Sequence, residues 1–374
     1  MKKIFMTGST GFLGRTMLKQ LLKDSYDQFY LLIRSASSKK FLKKWLVGVE
    51  PHRIRYIQGD VIRPYFGLSD ANRKTVLSCT DYWHLAASTS FDDKNREEIY
   101  TTNIKGTAGI IDLAKECDNL RHLYYVSTAY IAGRNQSVIL EDEMPERNGF
   151  KNIYEESKYD SEELIRQSDL PFTLFRPSII IGNSKTGDHM GETRMVYGYL
   201  LGIFFSVIKS FGNKEGLARA WNEQNSHEVK LRLLGYPEIT KNLICIDDVV
   251  GMIMEILKSD HTRKTYNLVN DGPLLMSDCK YIIEQVLRVR GIEYVGGVID
   301  NPNQAEKRAL RLTDAYMPYC VLPDPKWDTT NTDKALGDYK KVTMTPEKLR
   351  FMMEMFVQER IIEKHLTDNF PHAR

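Results

Sequence analysis

The chain has 374 residues, 42% hydrophobic and 27% charged, with a formal net charge of +3. It is long enough for one large core with an appendage or for two domains, and a charge so near zero, without a long Lys/Arg block, gives no reason to expect a nucleic-acid partner. Eight histidines lack ligand spacing, so no metal is expected, and the scattered Cys79, Cys117, Cys245, Cys279 and Cys320 favour free thiols in a reducing, cytoplasmic compartment.

The opening "MKKIFMTGSTGFLG" has an apolar run too short for a signal peptide and begins directly with a strand, "KIFM". A helix is expected over 12–23, a strand over 29–33, and a Ser/Lys-rich helix start after it. Further strands are expected over 54–58, 81–86, 122–126 and 172–176, with helices over about 95–115 and from Tyr154 onward. Strands alternating with longer helical patterns mark βαβ units and a parallel sheet, whose two covered faces explain the unbroken apolar runs.

From about Gly187 the rhythm changes. The apolar stretch 195–211 falls short of a bilayer span and reads as a buried helix, with a peripheral membrane contact as the alternative. Its Tyr197, Tyr199, Phe204 and Phe205 suit either an acyl-chain channel or ordinary core packing. Only "NLICI" and "TYNLV" read as further strands, and helices dominate to the end, the last over 345–366 behind a Thr345 cap. The expected architecture is an α/β fold: a doubly wound parallel sheet over 1–186, then a smaller, mainly helical substrate-binding part over 187–374. Segments near 243–270 should return to the first part.

In "TGSTGFLG", Gly8, Gly11 and Gly14 stand between the first strand and the first helix, with Thr10, Phe12 and Leu13 among them. Such glycines allow a tight turn, close approach to a pyrophosphate and helix–strand packing, with the helix N-terminus facing the anion. Twenty residues after Gly14 an NAD-type site would place a carboxylate on the ribose. This chain has Arg34 there, whose fork suits a 2′-phosphate, with Ser35, Ser37, Lys39 and Lys40 to assist, so NADPH is expected over NADH. A solvated basic helix start is the plainer reading of the same residues. Asp60 and Val61, ending the third strand, suit the adenine amino group and ring, or a simple turn. Ala86, Ala87 and Ser88 in "HLAAST" are small where a backbone passes close to a cofactor, or merely close a strand.

"YVSTAYIAG" ends the fifth strand with Ser127 and Thr128. "NIYEESKYDSEELI" then starts a helix with Tyr154 and Lys158 one turn apart, and no other of the 20 tyrosines has a lysine at that spacing. A phenol with an ordinary pKa of ~10 needs help to move a proton near neutrality, and an adjacent ammonium supplies it. Thr128 and Tyr154 converging on one carbonyl oxygen would combine general acid catalysis with oxyanion stabilisation.

Together, "TGSTGFLG", "VSTAY", "YEESK" and "FRPSIIIG" resemble the extended short-chain dehydrogenase/reductase superfamily, over nearly the whole chain and most specifically over 1–185. Within it, "STAYIAG", "KYDSEELI" and "FRPSIIIGNSKTGD" are similar to the fatty acyl-CoA reductases and terminal thioester reductase domains, the male-sterility-type NAD(P)-binding proteins. The resemblance implies a Rossmann-type sheet and a catalytic set of Thr128, Tyr154 and Lys158. It also implies that Asn103, in "NIKGT", helps to position the lysine, and that Pro177, Ser178 and Ile179 border the nicotinamide.

On that basis the expected reaction is NADPH-dependent reduction of an acyl thioester to an aldehyde, or onward to an alcohol. No carrier domain is read in the chain, so the acyl group should arrive on CoA or a separate acyl carrier protein. An aldehyde or ketone reductase fits the same residues. A nucleotide-sugar epimerase or dehydratase is the other enzyme reading, although Ala129 and Tyr130 stand where resembling dehydratases carry an Asp-Glu pair. A non-enzymatic NADP(H) sensor would be expected to lack the Tyr–Lys pair.

Overall fold

A computed structural model describes residues 2–24, 26–48, 51–212, 216, 219 and 226–362. Seven strands form the main sheet: β1 (Lys3–Thr7), β2 (Gln28–Ile33), β3 (Ile54–Gln58), β4 (Asp81–His84), β5 (His122–Val126), β6 (Phe172–Pro177) and β7 (Lys264–Leu268). Their order is β7-β6-β5-β4-β1-β2-β3, and every pairing is parallel. The chain winds outward from β1 to β3, then crosses to β1's other flank for β4. That reversal opens a crevice at the carboxyl ends of β1 and β4, where ligands of open α/β sheets bind.

The strands form where the apolar runs fall. "QFYLLI" of β2 is buried at all but its first residue. The helix Phe12–Leu21 buries Leu13, Met17, Leu18 and Leu21, one helical face, against the sheet. Ser35 and Ser69 start the helices Ala36–Trp45 and Asp70–Val76 by accepting from the amides of Ser38 (3.2 Å) and Asn72 (3.3 Å). One core layer joins Phe5, Phe66, Tyr82, Ile110, Leu113 and Leu123, with the Phe5 and Tyr82 rings edge to face at 5.4 Å.

The helix expected over 95–115 is broken into Arg96–Ile99, a widened π turn over Tyr100–Lys105, and Gly106–Lys115. The wide turn carries Asn103, which is buried and bonded away from its own helix.

Contacts divide the chain into two compact units. The first comprises Met1–Ser178, Asp248–Val269 and Pro325–Lys340. It closes at Ser178, where residue 186 was expected, and it also recovers 325–340. The reason is Glu141, a buried carboxylate accepting from Asn267 N (2.8 Å), Thr332 Oγ1 (2.6 Å) and the amides of Asn331 and Thr332. Trp327 Nε1 adds a bond to Ala129 O at 3.0 Å.

The second unit comprises Ile179–Asp247, Asn270–Asp324 and Lys341–Arg374. The expected strand near 243 belongs here: Leu243–Cys245 pairs with Ile179–Ile181 and does not join the main sheet. His227–Leu234 pairs in parallel with Val289–Val295, a strand pair the sequence reading left out. Helices Met195–Val207, Met276–Leu287, Gln304–Thr313 and Pro346–Val357 supply the rest of its interior. Tyr197, Tyr199 and Phe204 are buried there and Phe205 is half-buried, with Tyr197 stacked on Phe356 at 4.6 Å in the manner of core rings. Thr345 accepts from Lys348 N at 3.3 Å, capping the last helix as expected, and 363–366 of that expected helix lie outside the described residues.

Candidate active site

The helix Ile153–Gln167 begins where Asn152 turns extended and its side chain accepts from Glu155 N at 3.0 Å. The Glu155 carboxylate in turn accepts from Lys151 N at 3.0 Å, so two amides at the helix start are satisfied. This start puts Tyr154 in the first turn and Lys158 in the second. Tyr154 is half-buried, its ring 5.8 Å from that of Phe91. Lys158 is 2% exposed, which excludes a solvated surface couple.

The Lys158 ammonium donates to Tyr125 Oη at 2.7 Å and to Val126 O at 2.6 Å, and lies 4.1 Å from the Tyr125 ring centre. Burial pulls it down to about 7, against the opposing pull of Glu162. Burial also holds His84 neutral, at about 3, with the Lys158 charge adding to the effect. The His84 ring is stacked on Tyr125 at 5.8 Å, and its Nδ1 pairs with Thr7 Oγ1 at 2.9 Å.

Two residues beyond the end of β5, Thr128 is extended and buried. Its Oγ1 accepts from Tyr130 N (3.3 Å), capping the turn Ala129–Ala132, and donates to Pro177 O (3.4 Å) at the end of β6. Asn103 does not touch Lys158. Its side chain accepts from Ser88 N (2.7 Å) and donates to Ser88 O (3.0 Å) and Ser157 Oγ (2.8 Å). Its carbonyl accepts from Thr107 Oγ1 (2.6 Å) and Ser161 Oγ (2.9 Å). Asn103 thus ties the segment after β4 to the helix carrying Lys158.

One turn past Lys158, Glu162 is fully buried with Arg176 of β6. Arg176 Nε donates to both carboxylate oxygens at 3.1 Å, its Nη2 adds a further bond, and Arg166 Nε donates at 3.0 Å. These arginines hold the Glu162 carboxyl below its usual range despite burial.

The glycine turn is shaped by close backbone approach. Gly8 has φ +73°, and a Cβ there would lie 2.5 Å from Ala86 N, while a Cβ on Gly14 would lie 2.0 Å from Gly8 O. Gly11 caps the helix Phe12–Leu21, whose first turn holds Leu13 buried and no acidic residue, leaving the positive helix end uncompensated. Thr10 and Phe12 flank it half-buried. The Oγ atoms of Ser9 and Ser178 are buried without a hydrogen-bond partner among the described residues. A cradle that admits no Cβ and two unpaired buried hydroxyls fit a bound dinucleotide.

Around that turn, Ala86 N donates to Thr7 Oγ1 at 3.3 Å, and Ala86, Ala87 and Ser88 are half-buried. Arg34 is exposed just past β2, with Gln58 Nε2 donating to its carbonyl at 2.8 Å. Lys39 and Lys40 are exposed in the helix that Ser35 caps, with Ser37 bonded to Ser35 at 2.7 Å. Asp60 Oδ1 accepts from Ile62 N at 3.3 Å within its own turn, and Val61 is buried. Ile179, also buried, is the first residue of the second unit.

Residues 6–220, more than half the chain, match the male sterility protein family of NAD-binding domains. The chain belongs to that family. It is an NAD(P)-binding protein of the reductase class built on the short-chain dehydrogenase/reductase fold. The fatty acyl-CoA reductase wat of Drosophila melanogaster is 32% identical over 328 residues, 75% of this chain and 60% of that protein, so the chain spans under two thirds of its length. The terminal R domain of the myxalamid PKS-NRPS pathway superposes with a TM-score of 0.72 at 21% identity, over 96% of this chain and 91% of that one. UDP-glucuronic acid 4-epimerase from Bacillus cereus, in complex with NAD, superposes with a TM-score of 0.64 at 16% identity, over 96% and 97%. The two structural likenesses establish the fold and do not choose between reductase and epimerase.

For this family member, sequence reasoning missed Tyr125, Ser157, Ser161 and the Glu162–Arg176 pair. Ser157 and Ser161 could have been found, since they share the helix of Lys158 at spacings that face Asn103. Glu162 also lies four residues after Lys158, on its face. Tyr125 sits in a run that reads as a buried strand. Among the described residues no His/Cys/Asp/Glu group could hold a metal, and no helix is long and apolar enough to cross a membrane.

Proposed function

We propose that the protein is an NADPH-dependent reductase of an acyl thioester, carried on CoA or a separate carrier protein, giving an aldehyde and, with a second reduction, an alcohol. The observation that carries the reading is the buried Lys158 ammonium, one turn from Tyr154 and bonded to Val126 O at 2.6 Å beside Thr128. In this reading Thr128 Oγ1 and the Tyr154 phenol hold the substrate oxygen. Tyr154 gives up its proton as negative charge builds there, and Lys158 lowers the cost of the phenolate. NADPH, when bound, supplies the hydride. The hemithioacetal then releases the thiol as the carbonyl re-forms.

Gly8, Thr10, Gly11, Phe12, Leu13 and Gly14 would hold the pyrophosphate, Arg34 with Lys39 and Lys40 the 2′-phosphate, and Asp60 with Val61 the adenine. Ala86, Ala87 and Ser88, with Pro177, Ser178 and Ile179, would line the path of the rest. The exposed Arg34 fork and the lack of a carboxylate beside it support NADPH over NADH. The similarity to a fatty acyl-CoA reductase supports an acyl thioester substrate. Buried Ala129 and Tyr130, which offer no acid beside Thr128, weigh against a sugar dehydratase. The five buried free cysteines support a cytoplasmic setting.

The test is NADPH oxidation against acyl-CoAs, carrier-bound acyl groups, free aldehydes and nucleotide sugars, with products identified by mass spectrometry. Thioester-dependent oxidation with aldehyde or alcohol formation is expected. Turnover of aldehydes or ketones alone would make the protein a simple carbonyl reductase, and turnover of sugars alone would overturn the reading.

A further inference from the structure

An ammonium has three N–H donors. Two of those on Lys158 are committed on the protein side, to Tyr125 Oη at 2.7 Å and Val126 O at 2.6 Å, both on β5. The third is left to point at a ligand. Val126 contributes a main-chain carbonyl, which any residue would supply, whereas the Tyr125 hydroxyl is specific to this side chain.

Tyr125 is itself fixed on several sides. It is 1% exposed, with His84 stacked over its ring at 5.8 Å. Its hydroxyl is flanked by the side chains of Thr107, whose hydroxyl donates to Asn103 O at 2.6 Å, and Ser161, whose hydroxyl is shared between Ser157 O at 2.6 Å and Asn103 O at 2.9 Å. Burial pushes the Tyr125 phenol up, so it stays neutral and can accept from the ammonium. Thr107 and Ser161 thus stand between the Asn103 carbonyl and the Tyr125 hydroxyl, which in turn meets Lys158 at 2.7 Å.

We propose that Tyr125 is the positioning residue of the Lys158 ammonium, and that Asn103 acts on the lysine through Tyr125 rather than by direct contact. This rests on the reading of Lys158 as the ammonium that assists Tyr154. The titratable and charged groups facing it are Glu162 and Tyr154 on its own helix, neutral His84 on β4 and Tyr125 on β5; Arg176 of β6 spends its fork on Glu162. Of these, Tyr125 is the one that accepts a hydrogen bond from the ammonium and can lose its oxygen with its ring kept, outside the set assigned to the substrate carbonyl.

The experiment is Tyr125→Phe in the full chain, read by the pH titration of the Lys158 Cε resonance in 13C-lysine-labelled protein, assigned with Lys158→Arg. Loss of an acceptor for the charged form lowers the lysine, so its midpoint should fall by at least one pH unit from about 7. The high-pH limb of the rate profile should move down with it, and activity should recover toward the wild-type value as pH is lowered. A Lys158 midpoint unchanged in Tyr125→Phe, with the rate reduced equally at every pH, would overturn the proposal and leave Tyr125 a packing residue. Thr107→Val is the second variant, should the first fail to fold: a smaller downward shift is expected, and no shift counts against the link from Asn103. Absence of any carbonyl turnover by the wild type would sink the reductase reading alone, because the titration needs no substrate.

Discussion

Replacing Glu162 with glutamine keeps its shape and removes its charge. Arg176 would then be a fully buried guanidinium facing only the carbonyls of Leu140 (2.8 Å) and Glu143 (3.0 Å) and a neutral amide. Arginine cannot escape by losing its proton. Breaking a buried pair from one side costs about 3–5 kcal/mol. At ~1.4 kcal/mol per tenfold, the opening equilibrium around Ile153–Gln167 and β6 should rise by roughly two to four orders of magnitude. Amide hydrogen exchange followed by mass spectrometry reads this on peptides from those two elements, which suits a chain of two units better than one global melting curve. Arg176→Met should cost less, because Glu162 keeps Arg166 at 3.0 Å and can also take up a proton. The double variant Glu162→Leu/Arg176→Met should recover most of the loss, since a buried ion pair and an apolar pair of similar volume are near equals. Exchange in Glu162→Gln within threefold of wild type would refute this account of the helix that carries Lys158.

Tyr154→Phe should abolish turnover while NADPH affinity changes less than about threefold, measured by NADPH fluorescence; wild-type rates in this variant would remove the proton-donor role. Arg34→Glu should weaken NADPH at least tenfold more than NADH, and equal losses would defeat the 2′-phosphate assignment. Gly14→Ala drives a Cβ to 2.0 Å from Gly8 O, an overpacking cost of about 1–3 kcal/mol, and should weaken the dinucleotide about tenfold; an unchanged affinity would show that the turn is no cradle.

The sheet was legible because its strands are buried on both faces and announce themselves as apolar runs: 54–58 and 122–126 match the structure to the residue. The His227–Leu234 strand was missed although Val229, Leu231 and Leu233 alternate in the manner of a half-buried strand. Charged residues stand between those positions, so the run lacks the unbroken apolar character of the sheet strands. The helix over 95–115 was read as continuous because its apolar spacing survives the wide turn. What breaks it is the inward pull of Ser88 and Ser157 on Asn103, partners 15 and 54 residues away in sequence. The Tyr154–Lys158 spacing was readable locally. Tyr125 was not, since its role depends on a side chain 33 residues away meeting it in the interior.

The bonds to Glu141 bear on the order in which the molecule can be made. All the partners of its buried carboxylate come from Asn267, Asn331 and Thr332, synthesised at least 126 residues later. A nascent chain that has reached residue 220 holds the glycine turn, Thr128, Tyr154 and Lys158, yet lacks β7 and leaves this carboxylate without those partners. Such a fragment should stay open and prone to capture by chaperones until the segment 325–340 has left the ribosome. A polypeptide trimmed to residues 6–220, the stretch that matches the family, would lack β7 and every one of these bonds to Glu141.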